Sequence, residues 1–208
     1  MFEEERRRMV EEQILIRGVR EPRLLKALEM VPRHLFVRKA ERDYDYDDIP
    51  LPIGHGQTIS QPYIVALMTD LLKLTGDERV LDVGTGSGYQ AAVLACMAGE
   101  VHTIEFIPEL ATRAGQLLSA YSNVTCHIGD GSLGWTAASP YMGIIVGAAA
   151  PKVPPALLEQ LDEGGHLVIP IGAPGYQILE EWIRHGKRLD HRSISGVAFV
   201  PLRGAHGW

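Results

Sequence analysis

The sequence predicts an α/β fold, in which a doubly wound, mostly parallel sheet follows an N-terminal helical cap. From residue 79 onward, short apolar runs alternate with helical segments, which is typical of parallel strands joined by helices. The run VLDVGTGSGYQ at 80–90 places an apolar strand, a glycine turn and the start of a helix in succession. This unit opens nucleotide-type α/β folds and indicates a ligand site at the turn.

Size and composition limit the remaining possibilities. The chain has 208 residues, of which 46% are hydrophobic and 22% charged, as in an ordinary globular domain with one core. We expect one domain over 1–208, with a helical cap and substrate loop at 1–75 and a ligand-binding core at 76–208.

Charge and cysteine content indicate where the protein works. A net charge of −6 argues against sequence-independent nucleic-acid binding, which needs a concentrated basic surface. No apolar run approaches the ~20 residues that cross a bilayer, and the N-terminal residues do not resemble a signal peptide. The two cysteines are far apart and form no metal-like pair. We therefore expect a cytoplasmic monomer without a bound metal.

The N-terminal part is predicted to be helical before the sheet begins. Apolar residues recur at helical spacing over 3–18 and 22–31, and a third helix is predicted to begin at Pro62. The acidic segment 41–50 has no periodicity and is interpreted as a loop, either a solvated connector or a flap over the site. IGHGQTISQP at 53–62 is interpreted as an irregular loop.

Strands and helices then alternate toward the C-terminus. We predict strands at 79–83, 101–106, 123–128, 143–151 and 165–172, with helices after the first, second and fourth of them. A hairpin with its turn near 185–187 follows, and VAFVPL is predicted as a last strand at 197–202. Periodicity does not determine the strand order at this C-terminal edge.

The glycine turn is the centre of the candidate site. Gly84, Gly86 and Gly88 expose bare backbone to a ligand, and the helix after them can bind an anion at its N-terminus. Asp82 precedes the first glycine, and the spacing is G-x-G-x-G rather than the G-x-G-x-x-G of dinucleotide sites. These features favour S-adenosylmethionine, whose methionine carboxylate would be the anion.

Two further acids follow predicted strands, where ligands bind in doubly wound sheets. Glu105 can accept hydrogen bonds from both ribose hydroxyls, because an ionised carboxylate has acceptor sites only. Asp130 can accept from the adenine amino group. The alternatives are a surface acid at a helix start for Glu105 and an aspartate that serves its own turn for Asp130.

Several segments spread along the chain together match the pattern of a known family. They are PRHLFV (32–37), IGHGQTISQP (53–62), VLDVGTGSGYQAAVLA (80–95), GDG (129–131), the stretch from AAAP to PIG (148–172) and FVPL (199–202). The chain thereby resembles the protein-L-isoaspartate (D-aspartate) O-methyltransferases, which are Rossmann-like class I S-adenosylmethionine-dependent enzymes. One departure is Met142, where the family usually has an aspartate; we expect it to affect only local turn geometry.

The resemblance implies the reaction. These enzymes methylate the free carboxylate of isoaspartyl and D-aspartyl residues in damaged proteins, and the ester then collapses to a succinimide that hydrolyses partly to aspartate. The substrate carboxylate is already ionised at neutral pH, so the transfer needs no general base. The enzyme mainly aligns the reacting groups, which can supply roughly 7–11 kcal/mol. The implied partners are isoaspartyl-containing proteins and peptides.

The resemblance also implies the roles of individual residues. Ser60 takes the catalytic position, where its hydroxyl donates to the substrate carboxylate, and the alternative is a helix-capping serine. Thr58 and Ile59 shape the same pocket, and the 53–62 loop and VAFVPL offer backbone contacts to an extended substrate. The cofactor residues are Asp82, Gly84, Thr85, Gly86, Gly88, Glu105, Asp130 and Gly131.

Three other functions remain open at this point. The first is a class I methyltransferase that acts on a different, small-molecule acceptor. The second is an NAD-linked oxidoreductase, which the glycine spacing disfavours. The third is a noncatalytic binder of damaged proteins, which the intact glycines and acids disfavour.

Overall fold

A computed structural model describes residues 2–208. Its helices pack on a central β-sheet. The helices are α1 (Phe2–Met9), α2 (Pro22–Met30), α3 (Pro62–Leu71), α4 (Tyr89–Ala95), α5 (Pro108–Leu118) and α6 (Pro155–Glu159). The strands are β1 (Leu51–Gly54), β2 (Gln57–Ile59), β3 (Arg79–Val83), β4 (Glu100–Glu105), β5 (Val124–Ile128), β6 (Tyr141–Val146), β7 (Leu161–Ile171), β8 (Gln177–His185) and β9 (Arg188–Val197).

The seven-stranded sheet has the order β5-β4-β3-β6-β7-β8-β9. The first five strands of this order pair in parallel, whereas β8 is antiparallel to β7 and β9 to β8. The predicted doubly wound, mostly parallel sheet is thus confirmed, and its C-terminal edge is an antiparallel meander. Because β4 and β6 flank β3 on opposite sides, the chain reverses its winding direction at β3, where such sheets bind ligands.

Apolar cores cover both faces of this sheet. On one face, Leu28 of α2 and Leu94 of α4 join a large cluster that includes Val80 of β3 and residues of α1, α3 and α5. On the other face, Leu157 of α6 packs in a second cluster with Leu81 of β3. Neighbouring residues of β3 thus point to opposite cores, as the alternation of a strand requires.

The predicted N-terminal helices are confirmed, with one irregularity. After α1 the chain continues through a π-helical turn at Val10–Ile14 and a 3₁₀ turn at Leu15–Arg17. Gly18 then ends the helical segment with φ +93°, a left-handed conformation that glycine adopts freely. Pro62 occupies the first turn of α3, as predicted.

Two segments interpreted as loops contain regular structure. The acidic segment is irregular from residue 45 onward, but a 3₁₀ helix covers Lys39–Tyr44. The 53–62 segment is not an irregular loop, since β1 and β2 form an antiparallel hairpin. His55 and Gly56 make its turn with φ values of +54° and +72°, and the positive φ at the histidine left no signal in the sequence.

The predicted last strand at 197–202 is wrong. β9 ends at Val197, and the chain then crosses the end of the sheet, held by Ala149. The Ala149 N–H donates to the Val200 carbonyl, and the Leu202 N–H donates to the Ala149 carbonyl, each at 2.8 Å. Pro201 lies between them in an isolated parallel bridge with Ala149, so the segment pairs with the sheet at one position and does not continue as a strand.

Smaller differences concern the fourth and fifth predicted strands. β6 ends at Val146 instead of reaching residue 151, and β7 already begins at Leu161. Met142 lies inside β6, where the register with β7 shifts between Tyr141 and Gly143. The departure from the family pattern therefore falls on a strand irregularity rather than on a turn.

None of the helices within residues 2–208 has the length and apolarity that a bilayer crossing requires. The same residues bring no three His, Cys, Asp or Glu side chains together in a way that could hold a metal ion.

Candidate active site

The glycine loop follows β3, which lies between β4 and β6 in the sheet. A crevice opens at this loop. The Gly84 N–H donates to the Ile104 carbonyl and the Gly147 N–H to the Val83 carbonyl, each at 2.8 Å. Gly84 has φ +92°, and a Cβ placed on it would point across the crevice to Gly147 at 4.0 Å. Glycine is thus required both for the backbone turn and for the open space beside it.

Glu105 supports the loop from the end of β4. Its carboxylate is 6% exposed and accepts from the Gly86 N–H at 2.7 Å and from the Ile107 N–H at 2.9 Å. These two bonds join the glycine loop to the start of α5. A carboxylate has about four lone-pair sites, so Glu105 can still accept from the hydroxyl groups of a ligand.

Asp82 is the most unusual group of the crevice, because it is a nearly fully buried acid with one oxygen unpaired. Its Oδ2 accepts from the Thr103 hydroxyl at 2.9 Å, and that hydroxyl lies 2.6 Å from the Thr85 hydroxyl. Within residues 2–208, Oδ1 has no hydrogen-bond partner. Burial raises the pKa of Asp82 to about 7, against the lowering effect of the Thr103 hydrogen bond. Such an oxygen suits a cationic donor, for example the ammonium group of a bound ligand.

Replacing Asp82 by asparagine is expected to change the pH dependence of stability. The pKa of Asp82 is higher in the folded than in the unfolded state, so its contribution to stability is lost as the pH rises from about 4 to about 7. The wild type should therefore lose on the order of 2–4 kcal/mol more than Asp82→Asn between those limits, at 1.36 kcal/mol per pKa unit. Urea unfolding of both proteins at about pH 4 and about pH 7 measures this difference. If the free energy of unfolding changed equally with pH in both proteins, the raised pKa of Asp82 would be refuted.

The predicted cofactor residues differ in how they relate to the two cavities of the crevice. Gly84 and Gly86 line both cavities, Asp82 and Thr85 line one, and Glu105 and Gly131 line the other. Gly88 lies beneath the loop, where a Cβ would meet Leu118 at 3.3 Å. It therefore serves the packing of α4 on α5.

Asp130 is held by its own surroundings. Its Oδ1 accepts from the Ser132 N–H at 2.9 Å and the Ser132 hydroxyl at 2.6 Å, and its Oδ2 accepts from the Ala205 N–H at 2.7 Å. The carboxylate thus fastens the C-terminal segment to the turn after β5. It does not line either cavity of the crevice.

The hairpin of β1 and β2 forms a roof over the glycine loop. The Ile53 side chain reaches to 3.4 Å from the position of a Cβ on Gly86. Thr58 lines both cavities of the crevice, and Ile59 and Ser60 line the one that contains Asp82. Gln61, not Ser60, precedes α3, and no side-chain cap is present. The Ser60 hydroxyl forms no hydrogen bond in the described part of the chain, so the helix-cap alternative is not observed.

A wide cleft of about 1190 Å³ opens on the other side of this roof. Thr58, Ser60 and Gly147 border it, together with the end of β9 and the loop before β8. The crevice cavities are far narrower, at about 60 and 40 Å³. Because Thr58 and Gly147 line the crevice as well as the cleft, a ligand in one space would meet a ligand in the other at this point.

Sequence reasoning missed two residues of the cleft. Arg17 is the one charged side chain lining it within residues 2–208, and its guanidinium lies 3.9 Å from the centroid of the Tyr63 ring. Gln177 is buried and holds Phe199, since its amide donates to the Phe199 carbonyl at 3.0 Å and accepts from its N–H at 2.6 Å. Neither residue lies near a sequence motif, so no local signal indicated them.

Comparison with known proteins identifies the family. The family model described as Protein-L-isoaspartate(D-aspartate) O-methyltransferase (PCMT) matches residues 4–207. The chain belongs to this family. Named protein-L-isoaspartate O-methyltransferases include relatives from Syntrophus aciditrophicus, 50% identical over all of this chain and 97% of that protein, and from Shewanella sediminis, 52% identical over 96% of this chain and 83% of that protein.

Solved structures of the family have the same fold. A protein-L-isoaspartate O-methyltransferase superposes on 96% of this chain and 66% of its own with a TM-score of 0.86 and 26% identity. A Plasmodium falciparum protein described under the same family name, in complex with S-adenosyl-L-homocysteine, covers 95% of this chain and 98% of its own. Its TM-score is 0.81 at 24% identity, which establishes the shared fold.

Proposed function

We propose that this chain transfers the methyl group of S-adenosylmethionine to the free carboxylate of L-isoaspartyl, and D-aspartyl, residues in damaged proteins, and so starts repair through a succinimide. The observation that carries the proposal is the junction at Thr58, Ser60 and Gly147, which joins the glycine-loop crevice to the wide cleft. A methyl donor in the crevice and a peptide in the cleft would meet at the free Ser60 hydroxyl.

The residues of the crevice fit the cofactor. The unpaired Asp82 oxygen suits the ammonium group of its methionine part, and the bare backbone at Gly84, where a Cβ would face only Gly147 at 4.0 Å, lets that part approach. The spare acceptor sites of Glu105 suit ribose hydroxyls. When bound, the cofactor supplies a methyl group activated by a sulfonium sulfur. We assign direct cofactor contacts to Asp82, Gly84, Thr85, Gly86, Glu105 and Gly131, and assign Gly88 and Asp130 to the same site as residues that support the loop and the wall.

Entry of a nucleoside requires the crevice to widen. Ligand pockets typically hold roughly 300–1,000 Å³, whereas the two cavities measure about 60 and 40 Å³. Segment 200–203 lines the larger one and is held by backbone hydrogen bonds to Ala149, by the burial of Leu202 in the second core, and by the Asp130 link to Ala205. An outward shift of this segment would make room without disturbing the sheet. In this role Asp130 anchors the wall of the nucleoside site.

The chain's own residues then align the acceptor. Ser60 donates a hydrogen bond to the substrate carboxylate, while Thr58 and Ile59 shape the wall between the two spaces. No general base is needed, because the acceptor is already ionised. The sulfonium charge disappears during the transfer, so exclusion of water from the junction by the bound peptide would favour the reaction.

The width of the cleft favours a peptide over a small-molecule acceptor. At about 1190 Å³ and open to solvent, it exceeds the usual size of small-ligand pockets. We further propose a cytoplasmic monomer that binds no nucleic acid and works as one domain. The net charge of −6, the free thiols of Cys96 and Cys126, and the core shared by the N-terminal helices and the sheet support this.

A matched set of peptides tests the proposed reaction. Peptides identical except for an isoaspartyl, D-aspartyl or ordinary aspartyl residue are incubated with the enzyme and methyl-labelled S-adenosylmethionine. We expect label in the isoaspartyl peptide, weaker label in the D-aspartyl peptide, and later release of methanol as the succinimide forms. Equal labelling of the isoaspartyl and ordinary peptides, or none, would favour another acceptor. Thermal stabilisation by S-adenosylhomocysteine but not by NAD would exclude the oxidoreductase alternative.

A further inference from the structure

One carboxylate of the acidic segment 41–50 reaches the start of α3. Asp48 Oδ1 accepts from the Tyr63 N–H at 2.9 Å, and Oδ2 accepts from the Gln61 side-chain amide at 3.1 Å. The guanidinium of Arg17 forms an ion pair with the same carboxylate while it stacks on the ring of Tyr63. Three donors from two distant parts of the chain thus converge on Asp48, whose side chain is only 19% exposed.

This arrangement supplies the cap that α3 otherwise lacks. The first N–H groups of a helix have no partner within it, and the residue before the helix usually provides one. Gln61 occupies that position without a side-chain cap, and its amide N–H donates to Asp48. Asp48 therefore caps the helix from outside and, through the same carboxylate, fixes the side chain of the residue that follows Ser60.

The position of Ser60 depends on its backbone. Its hydroxyl has no hydrogen-bond partner anywhere in residues 2–208, so no side-chain hydrogen bond of its own fixes the serine. Before it, Ile59 is fixed by its pairing with Leu51 in the hairpin. After it, the Gln61 side chain and the Tyr63 N–H are both bound by Asp48.

We propose that Asp48, held by Arg17, is a positioning residue that aims the Ser60 hydroxyl at the substrate carboxylate. The inference rests on the proposed function of Ser60. An ionised aspartate has only acceptor sites and matches three donors at once. Asparagine keeps one acceptor oxygen and can retain the Tyr63 bond, whereas alanine loses all three contacts. Displacements of about 1 Å can reduce the rate by as much as ~10²-fold, so even a small shift of residue 60 should be measurable.

Kinetics on an isoaspartyl peptide test the proposal. The wild type is compared with Asp48→Ala, Asp48→Asn, Ser60→Ala and the Asp48→Ala/Ser60→Ala double variant. We expect Asp48→Ala to lower kcat about fivefold or more with an unchanged KM for S-adenosylmethionine, and Asp48→Asn to restore part of that loss. In the Ser60→Ala background the same change should cost less than about twofold, because residues that act together are not additive.

Asp47 provides the matched control. It is the preceding acid, its side chain is exposed, and it forms no side-chain hydrogen bond or ion pair in the structure as described for 2–208. Asp47→Ala should therefore keep wild-type kinetics and melting temperature. Should Asp48→Ala not fold, Asp48→Asn alone still tests the proposal, since it should lower kcat without changing the cofactor KM.

The outcomes separate this inference from the proposed function. If Asp48→Ala lowers kcat by the same factor in the wild type and in the Ser60→Ala background, Asp48 does not act through Ser60. A lower melting temperature with unchanged kcat would also overturn the positioning role of Asp48. In both cases the role of Ser60 is unaffected. Wild-type turnover by Ser60→Ala would overturn the role of Ser60 and the positioning role together. Absence of methyl transfer by the wild type would overturn the proposed function itself.

Discussion

Replacing Gly84 by valine is expected to weaken the binding of S-adenosylhomocysteine by about 100-fold or more, a loss of about 3 kcal/mol. At φ +92° a β-branched residue is strained, and its side chain would extend from β3 toward Gly147, 4.0 Å from the Cβ position. The added methyl groups would fill the crevice at the point where the structure joins it to the cleft. Isothermal titration of the purified variant with S-adenosylhomocysteine measures the change.

Two alanine variants make this prediction specific. Gly84→Ala adds one carbon at the same place and should weaken binding by an intermediate amount. Gly115→Ala is the matched control, because a Cβ there meets nothing within 4 Å and Gly115 lies inside α5. It should leave affinity unchanged and stabilise the fold by up to about 1 kcal/mol. Wild-type affinity in a folded Gly84→Val variant would show that the cofactor does not use this crevice.

Ser60→Ala is expected to lower kcat for an isoaspartyl peptide by at least about tenfold, while the affinity for S-adenosylhomocysteine stays unchanged. A hydrogen bond to a charged group is worth about 1.5–3 kcal/mol, and ~1.4 kcal/mol corresponds to tenfold in rate. Because the hydroxyl has no partner within residues 2–208, its removal leaves no buried group unsatisfied. The melting temperature should therefore change little.

Steady-state kinetics with titration of the cofactor product separate the effects of Ser60→Ala. Ser193→Ala is the control, since Ser193 lies exposed on β9 and does not line the cleft. It should behave as the wild type. Equal kcat values for the two variants would show that the Ser60 hydroxyl does not take part in the reaction. The junction would then have no identified hydrogen-bond donor for the substrate carboxylate.

Local sequence patterns were sufficient to predict the elements at the centre of the fold. The strand, glycine loop and helix at 79–95 follow from an apolar run, three alternating glycines and a run of helix formers, which act over a few residues. The start of α3 follows from Pro62 in the same way. The prediction of a strand at VAFVPL was wrong because the composition of this segment suits a strand, whereas its position depends on hydrogen bonds to Ala149, a residue some fifty positions away.

Sequence patterns place most of the predicted cofactor residues at the crevice, but Gly88 and Asp130 do not line it, and Arg17 and Gln177 of the cleft were not predicted. Asp82 and Glu105 lie at the crevice because strand ends in a doubly wound sheet meet at one edge. Their hydrogen bonds, the link from Asp130 to Ala205 and the reach of Asp48 to Tyr63 join residues that are distant in sequence. Side-chain contacts of this kind depend on how whole helices and strands pack. They cannot be predicted from composition or from the spacing of residues in the sequence.

A crystal structure of the protein with S-adenosylhomocysteine would show whether the cofactor binds in the glycine-loop crevice. We expect density for its methionine part along Gly84–Gly88, with the sulfur directed to the junction of Thr58, Ser60 and Gly147. Segment 200–203 should have moved outward relative to its present contact with Ala149. Density at any other surface, with the glycine loop left uncovered, would mean that this crevice is not the cofactor site.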